Sequence, residues 1–293
     1  MKFRVPATTG NTGAAFDTTG LAFTLYARFE AELLPGGRLE ITGCDARYQN
    51  EDNLAVRAFR AAEARMGERP SGLRLHIDTD VPISRGLGSS ATLLVAGAFA
   101  AGELRGGALS REDMLDIATA MEGHPDNVAP ALYGGLCASA VRADGHVLCA
   151  RYPVSPDVRF CALIPDFPLS TAEARRVLPA AVPLADVVFN LSRASVLMRG
   201  MEAGDYDMLS LALDDRLHMP YRKALIHDFD AVREAALCEG ARAVIISGAG
   251  PTLLALHPSP EAFAASVLPR LAGLSHTWRA VPLDVDAEGT RSL

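Results

Sequence analysis

The chain has 293 residues, 49% of them hydrophobic, which is enough to bury the core of one large domain or two of ordinary size. Its formal net charge is −7, and no run of Lys or Arg stands out. The chain therefore lacks the electrostatic pattern of a nucleic-acid or acidic-membrane binder, which favours small-molecule chemistry.

The five cysteines are odd in number and scattered, without a Cys-x-x-Cys pair. This usage argues against a disulfide framework and a zinc site, and it fits a reducing cytoplasm. Residues 1–6 lack the apolar core of a signal peptide, and the apolar stretch 91–101 is shorter than the roughly 20 residues that span a bilayer. We therefore expect a cytoplasmic protein with no nucleic-acid or membrane partner.

The first half of the chain predicts a β-rich start followed by helices. Residues 21–43 and 73–79 alternate as strands do, and LPGGR at 34–38 predicts a hairpin turn. Residues 51–67 predict a helix that an Asp or Asn at 52–53 can cap. The remaining elements predicted here are helices at 90–103, 110–122 and 126–133, and strands around 135–150.

Near residue 155 the pattern changes, because two prolines precede a new apolar run that begins at Phe160. We place a domain boundary there, which gives domains 1–156 and 157–293. The second half predicts a strand at 158–164, helices near 171–178, 184–202, 205–213 and 228–238, strands at 242–246 and 252–256, a helix at 258–270 and a last strand near 277–283.

The turn GLGSSA at 86–91 joins a predicted strand to a predicted helix and is open to three interpretations. It can be a plain tight turn with Ser89 as the helix cap. It also satisfies the dinucleotide pattern GxGxxA, but the acidic partner expected about 20 positions on is missing. The third interpretation is a phosphate cradle of backbone N–H groups, in which Ser89 and Ser90 offer hydroxyls to phosphate or Mg²⁺. The turn alone does not decide between cap and cradle.

Residues 5–23 are dense in small polar residues and glycine. Asn11 and Asp17 are the only strong side-chain hydrogen-bonding groups in this segment besides the threonines. Taken by itself, the composition favours a plain loop.

Residues 121–136 hold four polar side chains within six positions: Glu122, His124, Asp126 and Asn127. On their own, Asp126 or Asn127 can simply cap the next helix. A zinc site is weakly supported, since no further spaced His or Cys ligands follow. Carboxylate and hydroxyl oxygens suit Mg²⁺ better, with Glu122 reaching the same ion as Ser90.

ISGAGPTLLAL at 246–256 is a second glycine-rich turn between two apolar runs, and a hairpin is its simplest interpretation. Arg175, within 170–179, and Arg222, within 218–226, complete the candidates. Each alone is more often a solvated surface arginine than a binding residue.

Together these segments resemble the GHMP kinase superfamily. The second motif of that superfamily, PxxxGLGSSA, is present at 82–91, its third is similar to 247–252, and its first lies within 5–21. Within the superfamily the chain is most similar to the homoserine kinase family, through VPAT…FDxxGLA at 5–22, EGHPDNVAPALxGG at 122–135, STxxARxxLP at 170–179 and PYRxxLI at 220–226.

The chain departs from the family pattern in two places. In the first motif, Gly10 replaces Ala, Thr12 replaces Leu, and residues 14–15 are Ala-Ala instead of Pro-Gly. Ala120 stands four residues before His124, where relatives often carry a Glu. The resemblance therefore assigns the metal carboxylate to Glu122, with Asp116 in reserve.

The resemblance implies an α+β, two-domain GHMP kinase fold. The N-terminal, ATP-binding domain would be a mixed β-sheet with a left-handed βαβ crossover, and the C-terminal domain would be ferredoxin-like. The implied reaction is ATP-dependent phosphorylation of the side-chain hydroxyl of L-homoserine to O-phospho-L-homoserine in threonine biosynthesis, with Mg²⁺. The alternatives are a GHMP kinase for another small hydroxy compound and a GHMP-fold protein that binds without turnover. The oligomeric state stays open, a homodimer included.

The resemblance also implies which residues bind the substrate, the metal and ATP. Arg175 and Arg222 would clamp the substrate carboxylate, Asn11 and Asp17 would take the ammonium, and His124, Asp126 and Asn127 would lie near the hydroxyl. Direct phosphoryl transfer is expected, with Arg175 assisting and Asp126 as the fallback base. Ser90 and Glu122 would hold the metal. The ATP site would comprise Asn53 near the adenine, together with Pro82, Arg85, Gly86, Leu87, Gly88, Ser89, Ser90, Ala91, Gly248 and Gly250.

Overall fold

The computed structural model describes residues 1–293, and its larger sheet is built mainly by the first half of the chain. The strands of this sheet are β1 (Lys2–Gly10), β2 (Thr19–Leu34), β3 (Leu39–Thr42), β4 (Gly72–Thr79), β5 (Leu136–Val141), β6 (Val147–Tyr152) and the C-terminal β11 (Arg291–Ser292). The order is β11-β1-β2-β4-β3, and β5 pairs with the start of β2 and with β6. Because β3 and β4 are parallel and the other pairs antiparallel, the sheet is mixed, as predicted.

Four helices pack with this sheet: α1 (Leu54–Arg65), α2 (Ser89–Leu104), α3 (Arg111–Glu122) and α4 (Val128–Tyr133). Helix α2 is apolar nearly all round, and most of its residues are buried. Its small residues allow close packing, since a Cβ on Gly97 would lie 2.0 Å from the carbonyl oxygen of Ala55 in α1. The start of α2 is therefore held firmly by the core of the larger sheet.

The second sheet is four-stranded and antiparallel. Its strands are β7 (Phe160–Pro165), β8 (Ala243–Ile246), β9 (Leu253–Leu256) and β10 (Trp278–Leu283), in the order β10-β7-β9-β8. This is the 4-1-3-2 order of a ferredoxin-like sheet, which confirms the predicted C-terminal fold. The second half of the chain also forms the helices α5 (Thr171–Arg176), α6 (Leu184–Ala203), α7 (Tyr206–Ala212), α8 (Met219–Arg222), α9 (Phe229–Cys238) and α10 (Pro260–Leu271). Helices α5, α9 and α10 pack into the core of the smaller sheet, whereas the buried apolar residues of α6 and α7 join the core of the larger one.

The two sheets meet through β7, whose side chains alternate between two apolar cores. Phe160, Ala162 and Ile164 join the core of the larger sheet, whereas Cys161 and Leu163 pack into that of the smaller one. This alternation follows from the two-residue period of a strand.

The boundary at 156/157 falls just before β7 and stays a prediction. No helix is both long enough and apolar enough to cross a bilayer.

The hairpin predicted at 34–38 is wrong. A short 3₁₀ turn at Pro35–Gly37 does reverse the chain, but β2 and β3 are not neighbours. Strand β4 lies between them, antiparallel to β2 and parallel to β3. The eight-residue register of β2 with β4 buries Leu73, Leu75 and Ile77, a gain that a four-residue β3 does not offer.

Two other expectations need correction. Most of residues 5–23 is strand and not loop, since β1 extends to Gly10 and β2 begins at Thr19. Ser89 does not cap α2: Gly88 occupies the N-cap position, and no side chain caps this helix. By contrast, Asn53 caps α1 as predicted, because its side chain accepts a hydrogen bond from the Ala55 N–H.

Candidate active site

A polar cavity of about 200 Å³ lies where the two glycine-rich turns face each other. It brings together most of the residues singled out from the sequence, although they lie far apart along the chain. Those that line it are Asn11, Asp17, Gly86, Gly88, Ser89, Ser90, Glu122, His124, Asn127, Arg175, Arg222, Gly248 and Gly250.

The turn before α2 has a backbone that only glycine tolerates. Gly88 has φ 70° and Gly86 has φ 75°, both in the left-handed region. A Cβ on Gly88 would lie 2.0 Å from Thr8 Oγ1, and one on Gly86 would lie 2.3 Å from the carbonyl oxygen of Ser247. Since no side chain caps α2, its first N–H groups remain available to an anion beside the cavity.

The second glycine-rich turn joins β8 and β9 as a hairpin, and it also borders the cavity. The hydroxyl of Ser247 donates to the carbonyl oxygen of Gly86 over 2.6 Å, which ties the two turns together. The carbonyl oxygen of Gly248 accepts from Asn11 Nδ2 and from Arg222 Nη1, each at 3.0 Å. The hairpin thus serves as a fixed support for the residues around it.

A second, largely apolar pocket of about 260 Å³ adjoins the polar cavity and shares Ser84, Ser89 and Ser90 with it. Asn53 and Tyr48 line it, as do apolar side chains of β2, β4, α1 and α2. A flat aromatic base fits such walls better than a charged group does. The side chain of Asn53 is already used, because it donates to the Tyr48 carbonyl oxygen and caps α1.

Five residues assigned to ATP or catalysis line neither the polar cavity nor the apolar pocket: Pro82, Arg85, Leu87, Ala91 and Asp126. Arg85 points elsewhere, since its guanidinium donates to the carbonyl oxygens of Ile83, Pro165 and Asp166. Leu87 and Ala91 are buried in the core. For these two residues a contact with ATP would have to come from the backbone.

Ser90 and Glu122 meet on the wall of the cavity, where the serine hydroxyl donates to Glu122 Oε1 over 2.6 Å. Asp116, the alternative metal-binding carboxylate, is hydrogen-bonded to other residues: it accepts from His146 Nδ1 and from the Val147 N–H. A hydroxyl and a carboxylate form an oxygen donor set that fits Mg²⁺. No cluster of three His, Cys, Asp or Glu residues could hold a metal alone, so water and phosphate oxygens would have to complete the coordination.

Asp126 is buried and organises the residues around it. His124 Nδ1 lies 2.5 Å from its Oδ1, and the Asn11 N–H donates to its Oδ2 over 3.2 Å. Asn127 donates to Oδ1 as well, and its own amide oxygen accepts from Thr8 Oγ1. Burial alone would lower the pKa of His124, but the hydrogen bond and charge of Asp126 raise it overall. His124 lines the cavity, and its Nε2 makes no hydrogen bond within the protein.

Asp17 and Arg175 form a bidentate ion pair, in which both hydrogen bonds measure 2.9 Å. Asn11 accepts from the Asp17 N–H over 2.8 Å, and both residues adopt a left-handed backbone with φ 55°. Such strain in residues other than glycine tends to occur at functional sites. Two residues expected to hold opposite ends of a zwitterion are therefore paired with each other.

Arg222 is only 1% exposed, although its side chain reaches the cavity wall. Its Nε donates to the Ala174 carbonyl oxygen and its Nη1 to that of Gly248, whereas Nη2 has no acceptor in the protein. Burial lowers the pKa of this guanidinium. Because the hydrogen-bond partners of Arg222 are all neutral, this buried cation favours the arrival of an anion.

Phe16 and His218 were not identified from the sequence. The Phe16 ring lies 5.3 Å from the guanidinium carbon of Arg222 and 6.0 Å from that of Arg175. His218 contacts Arg222 from behind. Because Phe16 immediately precedes Asp17, its position in the sequence could have indicated a place in the site. Nothing in the sequence near His218 indicates its contact with residue 13.

Two family models match this chain. The family model for the GHMP kinases N terminal domain matches residues 53–135, and the model for the GHMP kinases C terminal matches residues 197–270. Together the two models cover more than half of the chain. Fold and site thus define a kinase of the GHMP class that uses ATP.

Relatives that match over nearly the whole chain show which family of this class the chain belongs to. A homoserine kinase from Clostridium botulinum (strain 657 / Type Ba4) is 40% identical over 291 residues, covering 99% of this chain and 97% of the relative. One from Microchaete diplosiphon is 44% identical, covering 96% of this chain and 91% of the relative. The crystal structure of homoserine kinase from Cytophaga hutchinsonii superposes with a TM-score of 0.89 at 28% identity, covering 100% of this chain and 97% of that one. The chain belongs to the homoserine kinase family.

Proposed function

We propose that this protein transfers the γ-phosphoryl group of ATP to the side-chain hydroxyl of L-homoserine, giving O-phospho-L-homoserine and ADP, the step that leads toward threonine. The relatives of this chain supply the substrate by name, and the charges around the cavity support it. Asp17 is paired with Arg175, and Asp126 with His124. The cation left without a carboxylate is Arg222, which is the single observation that favours an acceptor carrying its own carboxylate.

In this proposal the amino-acid end of homoserine enters the Asp17–Arg175 pair. The substrate carboxylate takes the free Nη2 of Arg222 and the planar fork of Arg175, whose two donors match a carboxylate. Asp17 then exchanges the guanidinium for the ammonium group, so that each charge lies beside an opposite one. The side-chain oxygen of Asn11 holds Asp17 in position by accepting from the Asp17 backbone N–H.

The reacting end of homoserine points toward His124 and Asn127. The free Nε2 of His124 orients the hydroxyl, and Asp126 fixes the imidazole through Nδ1. Asp126 is 1% exposed and its oxygens are hydrogen-bonded, which supports direct transfer over its use as a base. The hydroxyl oxygen bonds to the γ-phosphorus, the bond to the β,γ-bridging oxygen breaks, and the hydroxyl proton passes to a phosphoryl oxygen.

The turn at 86–91 would cradle the phosphates, and the apolar pocket beside Asn53 would take the adenine. Ser90 and Glu122 would hold Mg²⁺, which when bound neutralises charge on the phosphates. The backbone N–H groups at the start of α2 supply favourable potential without a lysine. These assignments rest on the donor set and on the glycine backbone described above.

A substrate panel tests the proposal. Coupled ADP release should be much faster with L-homoserine than with L-threonine or shikimate, and it should depend on Mg²⁺. Activity on homoserine no better than on threonine would refute the substrate assignment. If no alcohol in the panel elicited ADP release, a binding protein without turnover would be the better description.

A further inference from the structure

His218 lies behind the proposed homoserine site and contacts both Arg222 and Gly13, which lies in the loop that carries Asn11 and Asp17. It is 0% exposed and immediately precedes α8. Its Nδ1 lies 3.4 Å from Nη1 of Arg222, and its Nε2 lies 3.3 Å from the carbonyl oxygen of Gly13. The imidazole also stacks on Phe16, with ring centroids 5.5 Å apart.

The neighbours of His218 determine where its proton is. An arginine N–H can only donate, so the Nδ1 that faces Arg222 must accept. The proton then lies on Nε2, which donates to the Gly13 carbonyl oxygen. Burial lowers the pKa of His218 and Asp215 opposes that shift, so the imidazole is held neutral, as this pairing requires.

Two further buried side chains lock this arrangement. Asp215 Oδ2 accepts from the backbone N–H of His218 over 2.9 Å. Asn190 donates to Asp215 Oδ1 over 2.7 Å and to the Ala14 carbonyl oxygen over 2.8 Å. The segment that carries Arg222 and the loop that carries Asn11 and Asp17 are therefore joined by a continuous buried network.

We propose that His218 is a positioning residue for the amino-acid end of homoserine, an inference that rests on the proposed function. By accepting from Nη1, it fixes the guanidinium of Arg222 so that Nη2 stays directed to the cavity. By donating to Gly13, it ties that guanidinium to the loop holding Asp17. The carboxylate and ammonium sites then keep a constant separation, which discriminates amino acids from hydroxy compounds lacking one of the two charges.

A histidine that merely filled the core would not need these partners. Its polar atoms would be satisfied by any local backbone group, and an aromatic residue of similar size would replace it well. Here each ring nitrogen instead faces a different segment of the chain. Nδ1 faces Arg222, and Nε2 faces Gly13, which is 205 positions from His218. Kinetics with a set of substitutions separates the two roles.

Three substitutions dissect the two hydrogen bonds. In H218N the amide oxygen takes the place of Nδ1 and still accepts from Arg222, whereas H218Q keeps a donor toward Gly13 but loses that acceptor. H218F loses both. Because a hydrogen bond to a charged group is at stake, KM for homoserine should rise roughly tenfold or more in H218Q and H218F and by less than about threefold in H218N.

ATP provides the internal control, since its KM should stay within about twofold in all three variants. His257→Asn, which alters a histidine stacked on Phe263 away from the cavity, should change neither KM. An unchanged KM for homoserine in H218F, or equal values for H218N and H218Q, would overturn the inference. The second comparison decides the matter even if H218F does not fold.

The wild-type control separates this inference from the function on which it rests. If the wild type released no ADP with homoserine, the proposed function would fall and this inference with it. If the wild type turned homoserine over while H218F and H218Q matched its KM values, only the role of His218 would be wrong.

Discussion

Asp17 and Arg175 have different partners in the structure and in the proposed complex with homoserine. Without substrate they satisfy each other through two parallel hydrogen bonds, which keeps two charges paired in a half-buried cavity. With homoserine, each would bind the opposite charge of the substrate. In the proposed complex the pair would therefore compete with the substrate, and its strength would help to set KM.

The first prediction concerns Arg175. We expect Arg175→Ala to lower kcat/KM for homoserine by roughly 10- to 100-fold, because a charge-assisted hydrogen bond contributes about 1.5–3 kcal/mol. Arg175→Lys should restore little, since Lys lacks the planar fork. The matched control is Arg176→Ala, which removes the exposed neighbouring arginine of α5 and should leave the kinetics unchanged. Equal losses in both alanine variants would contradict the assignment.

The second prediction concerns the metal contact. Glu122→Gln and Ser90→Ala should each raise the Mg²⁺ concentration needed for half-maximal rate by about tenfold or more, since each removes or weakens an oxygen ligand. Asp116→Asn is the control, because its carboxylate is bonded to His146 and Val147. The rate is titrated against Mg²⁺ for each variant. If the half-maximal Mg²⁺ concentration rose only in Asp116→Asn, Asp116 and not Glu122 would be the metal-binding carboxylate.

At the level of elements, the proposed ATP site depends on how β1, α2 and the β8–β9 hairpin meet. Thr8 at the end of β1 approaches Gly88 so closely that no side chain fits there. The Ser247 hydroxyl joins the hairpin to the carbonyl oxygen of Gly86. The uncapped start of α2 is thus held in place by two other elements instead of by its own cap.

A third prediction follows from this close approach. We expect Gly88→Ala to raise KM for ATP at least tenfold, because it forces a left-handed alanine, at about 1–2 kcal/mol, and places a Cβ 2.0 Å from Thr8 Oγ1. Gly106→Ala provides the comparison: with φ +75° Gly106 is also left-handed, but nothing lies within 4 Å of a Cβ there. It should cost stability without changing KM. If the two variants behaved alike in ATP kinetics, the cradle would not depend on this turn.

The sequence predicted the elements better than their pairing. Periodicity and end signals predicted every helix except the short α8 to within a few residues, because caps such as Asn53 act locally. The pairing of β4 between β2 and β3 depends on burial against a core assembled from distant segments, which a local turn signal does not report. Phe16 and His218 escaped for the same reason, since their contacts join residues far apart in sequence.

At the scale of the whole molecule, the chain ends by returning to its beginning. Strand β11 pairs with β1, the strand that leads directly into the active-site loop. Asp286 secures this return, because it accepts from Tyr26 Oη, Arg291 Nη2 and the Gly289 N–H. Burial alone would raise the pKa of Asp286, but these hydrogen bonds lower it overall from its ordinary 3.8.

The fourth prediction is that Asp286→Asn costs about 1–3 kcal/mol of unfolding free energy at pH 7, the value of a buried group left unsatisfied. Because folding lowers this pKa, the stabilisation is present above about 3.8 and is lost as pH falls through the folded-state value. Urea unfolding should therefore show a difference between variant and wild type that shrinks in acid. Asp284→Asn, on an exposed ion pair, should cost under about 1 kcal/mol. A pH-independent difference for Asp286→Asn would contradict the linkage.

The most direct test of the account is to identify the product. Purified protein incubated with ATP, Mg²⁺ and L-homoserine should show, by phosphorus NMR, one phosphate monoester formed for each ADP, with mass spectrometry identifying it as O-phospho-L-homoserine. Omitting homoserine should abolish both signals. ADP accompanied only by inorganic phosphate, or a monoester formed equally well from L-threonine, would contradict the assignment of homoserine as the acceptor.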